Sequence, residues 1–307
     1  MNGTAIHDGP IREFAPAKIN LTLAVAGRRS DGYHEIESLV AFAGDIGDEI
    51  ALMPGRETGL VISGLFAHPI AGENLIARIL RRLHAIAPQL ELGVIALTKE
   101  IPVAAGLGGG SADAAAVLRA VRQRNPQHAG EVDWHTFAVS LGSDVPVCLA
   151  GEPALIWGRG ENVLPLGALP SLPVVLVNPM VPVPADKTAR VFRRLAAPPA
   201  VVRETPPMPP GPFADAGHLV DYMIRHGNDL EAPACDLVPE IEIVRAALAE
   251  AGECLLVRVT GAGPTCFGVF PSTEKAQAAA QRLSAQFPNW WVRQTAVGSR
   301  QSARRRQ

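Results

Sequence analysis

Along residues 17–27, "AKINLTLAVAG", polar and apolar side chains alternate: Lys18, Asn20 and Thr22 fall on one side, Ile19, Leu21 and Leu23 on the other. This period of two, rich in β-branched residues, predicts a strand ending at Gly27. After a turn centred on Asp31-Gly32, two more strand-like runs are expected at about 35–42 and 48–53. Residues 1–13 are polar, broken by Gly and Pro, and expected to fray. Beyond Asn74 the period lengthens to that of a helix. Leu75, Ile76, Ile79, Leu80 and Leu83 line one face with arginines opposite, and Asn74 can cap the first turn.

Further on, 92–103 reads as a strand, 132–142 as a helix closed by Gly142, and 147–166 as paired strands with Gly turns. The run 172–179, "LPVVLVNP", has the pattern of a short buried strand, and the change of domain is placed near it. Residues 198–212, "PPAVVRETPPMPPGP", are too proline-dense for regular structure and are expected to form a solvated loop. A helix closed by Gly252 follows at 240–252, then strand, glycine turn and strand at 254–270, and a helix at 273–287. The mixed order of helices and strands argues for an α+β fold over a doubly wound sheet. Expected units are 1–170 and 171–297, with a solvated, disordered basic tail at 298–307.

The chain's 307 residues, 48% of them hydrophobic, can bury the cores of two modest domains. A net charge of -2 supplies no long-range field for nucleic acid or an anionic membrane, so neither is an expected partner. With no apolar run of about 20 residues and no secretory signal pattern, the expected location is the cytoplasm. Cys148, Cys235, Cys254 and Cys266 form no C-x-x-C pair and read as buried thiols.

Candidate chemistry concentrates at 102–118, "PVAAGLGGGSADAAAVL", where Gly106, Gly108, Gly109, Gly110 and Ser111 lead into alanine-rich helix former. Consecutive glycines allow positive φ angles that turn several N–H groups to one point, and a helix starting near Ser111 and Asp113 reinforces that point for an anion. A phosphate chain is the natural guest, and a loop that merely packs tightly is the alternative. No lysine follows Gly110, so this is not a Walker A loop, and Ser111 at the sixth position breaks the dinucleotide fingerprint. Lys18 either faces solvent from its strand or meets a carboxylate in a cleft. Asp144, in "GSDVP", is either a turn-forming aspartate or a general base, and Tyr33 and His34 are either surface residues or a place to stack and read a base.

The stretch "PVAAGLGGGSADAA" resembles the ATP-binding motif of the GHMP kinases, the superfamily of galactokinase, homoserine kinase, mevalonate kinase and phosphomevalonate kinase. "APAKINLTLAVAGRRSDGYHEIESLVAF", "LGSDVPVCLAGEPALIWGRGE" and "RVTGAGPTCFGVF" are similar to motifs of one branch, in the non-mevalonate route to isoprenoid precursors. Its acceptor is methylerythritol linked to cytidine diphosphate. Together these segments cover 14–270. The resemblance implies a two-domain GHMP kinase fold with the active site in the interdomain cleft, and transfer of the γ-phosphate of ATP, with Mg²⁺, to the acceptor's 2-hydroxyl. It makes Asp144 the base and Lys18 the cation that keeps it ionised. It gives Asn20 to the acceptor and Tyr33 and His34 to cytosine. ATP falls to Pro102, Val103, Ala104, Ala105, Gly106, Leu107, Gly108, Gly109, Gly110, Ser111 and Ala112, flanked by Lys99 and Asn74. Ser111 either donates to a phosphate or sits near Mg²⁺, and no protein ligand of the metal is assigned. The assembly is a monomer or homodimer. The alternatives are a GHMP kinase for another small alcohol, of homoserine or mevalonate type, and a non-catalytic nucleotide-binding module. The chain departs from the family at "VPVPADKTARVFRRL", where V-x-[VI]-S-T-x-x-V-[FY] is usual, and in its proline-rich 198–212 segment.

Overall fold

A computed structural model of the chain describes residues 9–55, 57–67 and 74–298. Beyond Gly298, the expected basic tail lies outside the described residues, as does 1–8 of the opening segment. The first strand starts earlier than its alternation suggests: β1 is Ile11–Asn20, and Ile11 is buried and paired with Leu52. Residues 11–13, expected to fray, are therefore held by the sheet. The strand expected to reach Gly27 breaks after Asn20, where the Leu23 N–H donates to Gly227, and resumes as β2 (Ala24–Arg28).

The two runs expected after the Asp31-Gly32 turn are one strand of 20 residues, β3 (His34–Met53). Continuity depends on Gly47, because a Cβ there would lie 2.5 Å from the Ala15 carbonyl oxygen and from the Phe14 ring. β3 is the spine of the fold, pairing with β1, β2 and several strands introduced below. β4 (Gly59–Ser63) comes next, then α1 (Leu75–Ile86), whose four buried apolar residues keep the predicted face. Asn74 Oδ1 accepts from the Ile76 N–H at 2.8 Å, as the cap reading requires. β5 (Val94–Thr98) runs parallel to β4 and antiparallel to β3.

α2 (Gly109–Arg124) follows the glycine loop and buries alanines on nearly every side, so its backbone can approach β1 closely. α3 (Trp134–Val139) is the expected helix, but α4 (Val145–Ala150) corrects a reading: 147–150, taken as strand, are helical. Pro146 suits a first helical turn and Gly151, at φ 67, ends the helix in the left-handed region. β6 (Ala154–Gly158) and β7 (Asn162–Pro165) form the expected antiparallel pair.

The second half begins with the buried strand β8 (Leu172–Asn178). Three helices follow: α5 (Lys187–Leu195), α6 (Ala216–His226) and α7 (Glu231–Leu237). Next come α8 (Glu240–Ala249), β9 (Leu256–Val259), β10 (Cys266–Val269), α9 (Thr273–Gln286) and β11 (Trp291–Val297). The proline-rich segment has no regular structure, yet its start is pinned to the edge of β2: Arg28 N–H donates to Pro198, and Ala200 N–H to Arg28.

The strands join in one mixed sheet of order β4-β5-β3-β11-β8-β10-β9, with β1, β2 and β6 also paired to β3, and helices packed on it: an α+β fold. One cluster of buried residues lies beneath α1 and α2, another beneath α8 and α9. A third crosses the middle, packing Ile19, Leu21 and Leu39 with Val174, Leu176 and Phe267. This central cluster fixes the two walls of the cleft described next. Among the described residues no helix is long and apolar enough to cross a membrane. All four cysteines are free, and three are buried as expected.

Candidate active site

The glycine loop leaves β5 and enters α2 two residues earlier than its sequence suggests, at Gly109. Gly109, Gly110 and Ser111 therefore form the helix's first turn, whose N–H groups no helical carbonyl can satisfy. Gly108, at φ 64, aims the loop at that turn, and a Cβ on it would press to 3.0 Å of Lys18 Cε. Two other segments hold the loop in place. Lys18 N–H donates to Leu107 (2.8 Å), and from the C-terminal glycine turn Thr265 N–H donates to Ala105 (3.1 Å). Gly106, at φ 83, lets that turn close in, because a Cβ would lie 2.6 Å from the Gly263 carbonyl oxygen.

β1 carries Lys18 to the mouth of this loop with only 3% of its surface exposed. Its ammonium meets Asp144 Oδ2 at 3.0 Å and Asn20 Oδ1 at 2.9 Å, so the inward reading of the lysine holds. Asp144 stands at the N-terminus of α4 without capping it, so its carboxylate is not used by its own turn. Asn20 is fixed on two sides: its amide donates to Ser38 (2.8 Å), and its N–H to Thr260 (3.0 Å) in the C-terminal turn.

Lys99 lies under the first turn of α2, bound to the carboxylates of Asp48 and Asp113. Asp48 also accepts the Glu100 and Ile101 N–H groups at 2.6 and 2.8 Å, anchoring the chain as it enters the loop. Burial, with the charge of Asp48 beside it, pushes the Asp113 carboxyl up to about 8. Burial also works against the Lys99 charge, but the two carboxylates outweigh it and hold its pKa above the usual lysine value. Asp113 Oδ1 is buried and has no hydrogen-bond partner among the described residues.

A cavity of about 1190 Å³ connects these groups. One end is formed by Lys18, Asp144 and the loop residues from Pro102 to Ser111, Leu107 excepted; the other carries Tyr33, His34, Arg159 and Phe192. Leu107 and Ala112 turn into the core, and Asn74, occupied with capping α1, is not in the wall. Tyr33 is 53% exposed, with the Arg159 guanidinium 5.2 Å from its ring centre. His34 stacks on Phe192 at 4.6 Å, and burial followed by the charge of Arg28 lowers its pKa. Phe192 and Arg159 are wall residues that the sequence does not single out, and Lys187, which the sequence marks only as part of the two-residue departure around Asp186-Lys187, is a third. The V-F pair in the family-like pattern around Thr188 was the available signal for Phe192.

Residues 74–152 match the family described as GHMP kinases N terminal domain, and residues 214–289 match GHMP kinases C terminal. A 4-diphosphocytidyl-2-C-methyl-D-erythritol kinase from Parvibaculum lavamentivorans is 44% identical over 294 residues, 94% of this chain and 99% of that protein. A crystal structure of a 4-(cytidine 5'-diphospho)-2C-methyl-D-erythritol kinase aligns with TM-score 0.72 at 33% identity, over 94% of this chain and all of that one. A homoserine kinase from Cytophaga hutchinsonii shares the fold, with TM-score 0.65 at 20% identity over 98% of each chain. The sheet, the glycine loop and the helix it opens are thus those of a GHMP kinase. Within that class the chain belongs to the 4-diphosphocytidyl-2-C-methyl-D-erythritol kinase family.

Proposed function

We propose that the chain transfers the γ-phosphate of ATP to the 2-hydroxyl of 4-diphosphocytidyl-2-C-methyl-D-erythritol. The observation that carries this reading is the Lys18–Asp144 ion pair, 3.0 Å long, set in one cavity with the free first turn of α2. Phosphoryl transfer needs positioning and charge stabilisation above all. The loop and first-turn N–H groups hold the phosphate chain. Asp144 accepts the proton as the hydroxyl oxygen bonds to the γ-phosphorus and the bond to the β-phosphate oxygen breaks, releasing ADP. Lys18, paired with Asp144 at 3.0 Å, holds that carboxylate in place and stabilises charge on the transferring group. Asn20 orients the acceptor hydroxyl, while Tyr33 and His34 take the cytosine at the aromatic end.

Mg²⁺ fits this site as a ligand shared with ATP. Ser111 Oγ and Asp113 Oδ1, which has no hydrogen-bond partner among the described residues, are the oxygens beside the loop that would hold it, and Mg²⁺ is commonly held by one or two protein oxygens plus phosphates. Among the described residues no three His, Cys, Asp or Glu gather as a metal site made by protein alone. When bound, the ion would supply neutralising charge to the phosphate chain.

The test is ATP consumption with Mg²⁺ on four acceptors: the cytidylated polyol, the same polyol phosphate without cytidine, homoserine and mevalonate. Turnover with the first alone is expected. Preference for another acceptor sinks the named substrate, and binding of ATP with silence on all four turns the reading into a nucleotide-binding module.

A further inference from the structure

Lys187 opens α5 at the point where the sequence departs from its family's usual pattern, and its side chain is 2% exposed. Its ammonium donates to the Ala104 carbonyl of the first glycine loop, at 3.0 Å, and to the Gly263 carbonyl of the C-terminal turn. Both carbonyls belong to residues at positive φ, 57 and 66, so the lysine ties together two tightly turned segments. Two carbonyls leave one of its three N–H groups over and supply no negative charge.

The contrast with the other buried lysines is direct: Lys18 has Asp144 at 3.0 Å, and Lys99 has Asp113 at 2.8 Å and Asp48. No carboxylate meets Lys187 among the described residues. Its neighbour Asp186 turns outward instead, to Arg190 at 2.7 Å and Arg193 at 3.2 Å. Burying a charge without a counter-ion is costly, and burial alone pulls this ammonium down to about 8, leaving it mostly charged at pH 7. This ammonium lines the ligand cavity, where a bound anion is placed to meet its charge.

The position along α5 indicates which ligand. Phe192, which stacks on His34 at the aromatic end, lies five residues beyond Lys187, about 7.5 Å along the helix axis. The free N–H groups of α5's first turn add positive potential near the ammonium. We propose that Lys187 is the counter-ion for the diphosphate of a bound substrate, and that this diphosphate is the one joining cytidine to the acceptor alcohol. The proposal rests on the kinase reading above and adds a specificity residue to it.

Titration calorimetry separates the possibilities, using cytidine, cytidine diphosphate, adenosine and a non-hydrolysable ATP analogue as probes. Lys187→Gln keeps a donor for the carbonyls and removes the charge; Lys187→Met removes both, and Lys187→Arg retains the charge. Lys187→Gln is expected to weaken cytidine diphosphate roughly ten- to hundredfold, as loss of a charge-assisted hydrogen bond does. Cytidine, adenosine and the ATP analogue should stay within about threefold, and Lys187→Arg should recover most of the loss. In turnover, the KM for the acceptor rises while kcat changes little. Equal losses for cytidine and its diphosphate in both uncharged variants, or no loss at all, overturn the proposal. A loss confined to the ATP analogue overturns the assignment to the acceptor. Wild-type protein that binds no cytidine diphosphate defeats the kinase reading itself, an outcome distinct from wild-type binding that ignores residue 187.

Discussion

An ammonium taken out of water stays charged where something negative or dipolar replaces the water it loses. Lys99 receives the side chains of both Asp48 and Asp113, and so serves the loop that ATP is proposed to occupy. Lys99→Met leaves Asp48 and Asp113 buried together without a cation, at an expected cost of about 3–5 kcal/mol in urea denaturation. Lys18 receives one carboxylate that stays 35% exposed toward the cavity, an arrangement suited to chemistry. Asp144→Asn is expected to lower kcat by about 10²–10⁴-fold with the KM for ATP nearly unchanged, in steady-state kinetics. Lys187 receives only carbonyls, and its pKa falls from 10.5 to about 8. Between those values the unfolded chain holds a proton that the native protein has released, so native stability rises with pH across that window. Relative to Lys187→Met, the ligand-free wild type should gain up to about 3 kcal/mol between pH 7.5 and pH 10.5, read as a shift in denaturation midpoint. A flat difference contradicts the buried, uncompensated charge. Lys18 and Asn20 were legible because strand alternation put them on one face. Lys187 was not, since nothing in "ADKTARVF" distinguishes a buried ammonium from a solvated one.

At the scale of elements, the glycine loop separates folding from binding. Gly106→Ala drives a methyl group into the Gly263 carbonyl from a left-handed backbone, and should cost at least about 1–3 kcal/mol. Gly110 has open space where a Cβ would stand, in the first turn of α2. Gly110→Ala should leave stability unchanged or raise it by up to about 1 kcal/mol. Thermal melts of the two variants check this pair, and equal losses contradict the packing described. The loop, the helix behind it and the turn at 260–265 were readable because glycine density is a local signal. The start of α2 at Gly109 was not, since glycine's low helix propensity argues against it and only the tertiary position of the loop overrides that. α4 was misread for a related reason: a short apolar run such as "VPVCLA" suits a buried helix or a strand equally well. β3 was split in two because its central "AGDIG" looks like a turn, and the lack of a Cβ at Gly47 that keeps β1 alongside appears only in three dimensions.

Across the whole molecule, the sheet continues from one half to the other through β3 and β11, where Val297 pairs with Ala43, and the central cluster packs both halves together. Strand order across such a seam depends on pairings far apart in sequence, which local periodicity does not encode; the α+β class was legible, and the order was not. The result is a cavity with a phosphate end and an aromatic end, so the two substrates should be separable by mutation. Tyr33→Ala is expected to lower kcat/KM for the cytidylated acceptor by about ten- to hundredfold while leaving ATP binding unaltered. The most direct measurement is ³¹P NMR of a mixture of ATP, Mg²⁺ and 4-diphosphocytidyl-2-C-methyl-D-erythritol, with wild type and with Asp144→Asn. Wild type should produce ADP and a new phosphomonoester in equal amounts, and Asp144→Asn should produce neither on the same timescale. Release of inorganic phosphate without the monoester, or monoester formed by Asp144→Asn at the wild-type rate, contradicts the account.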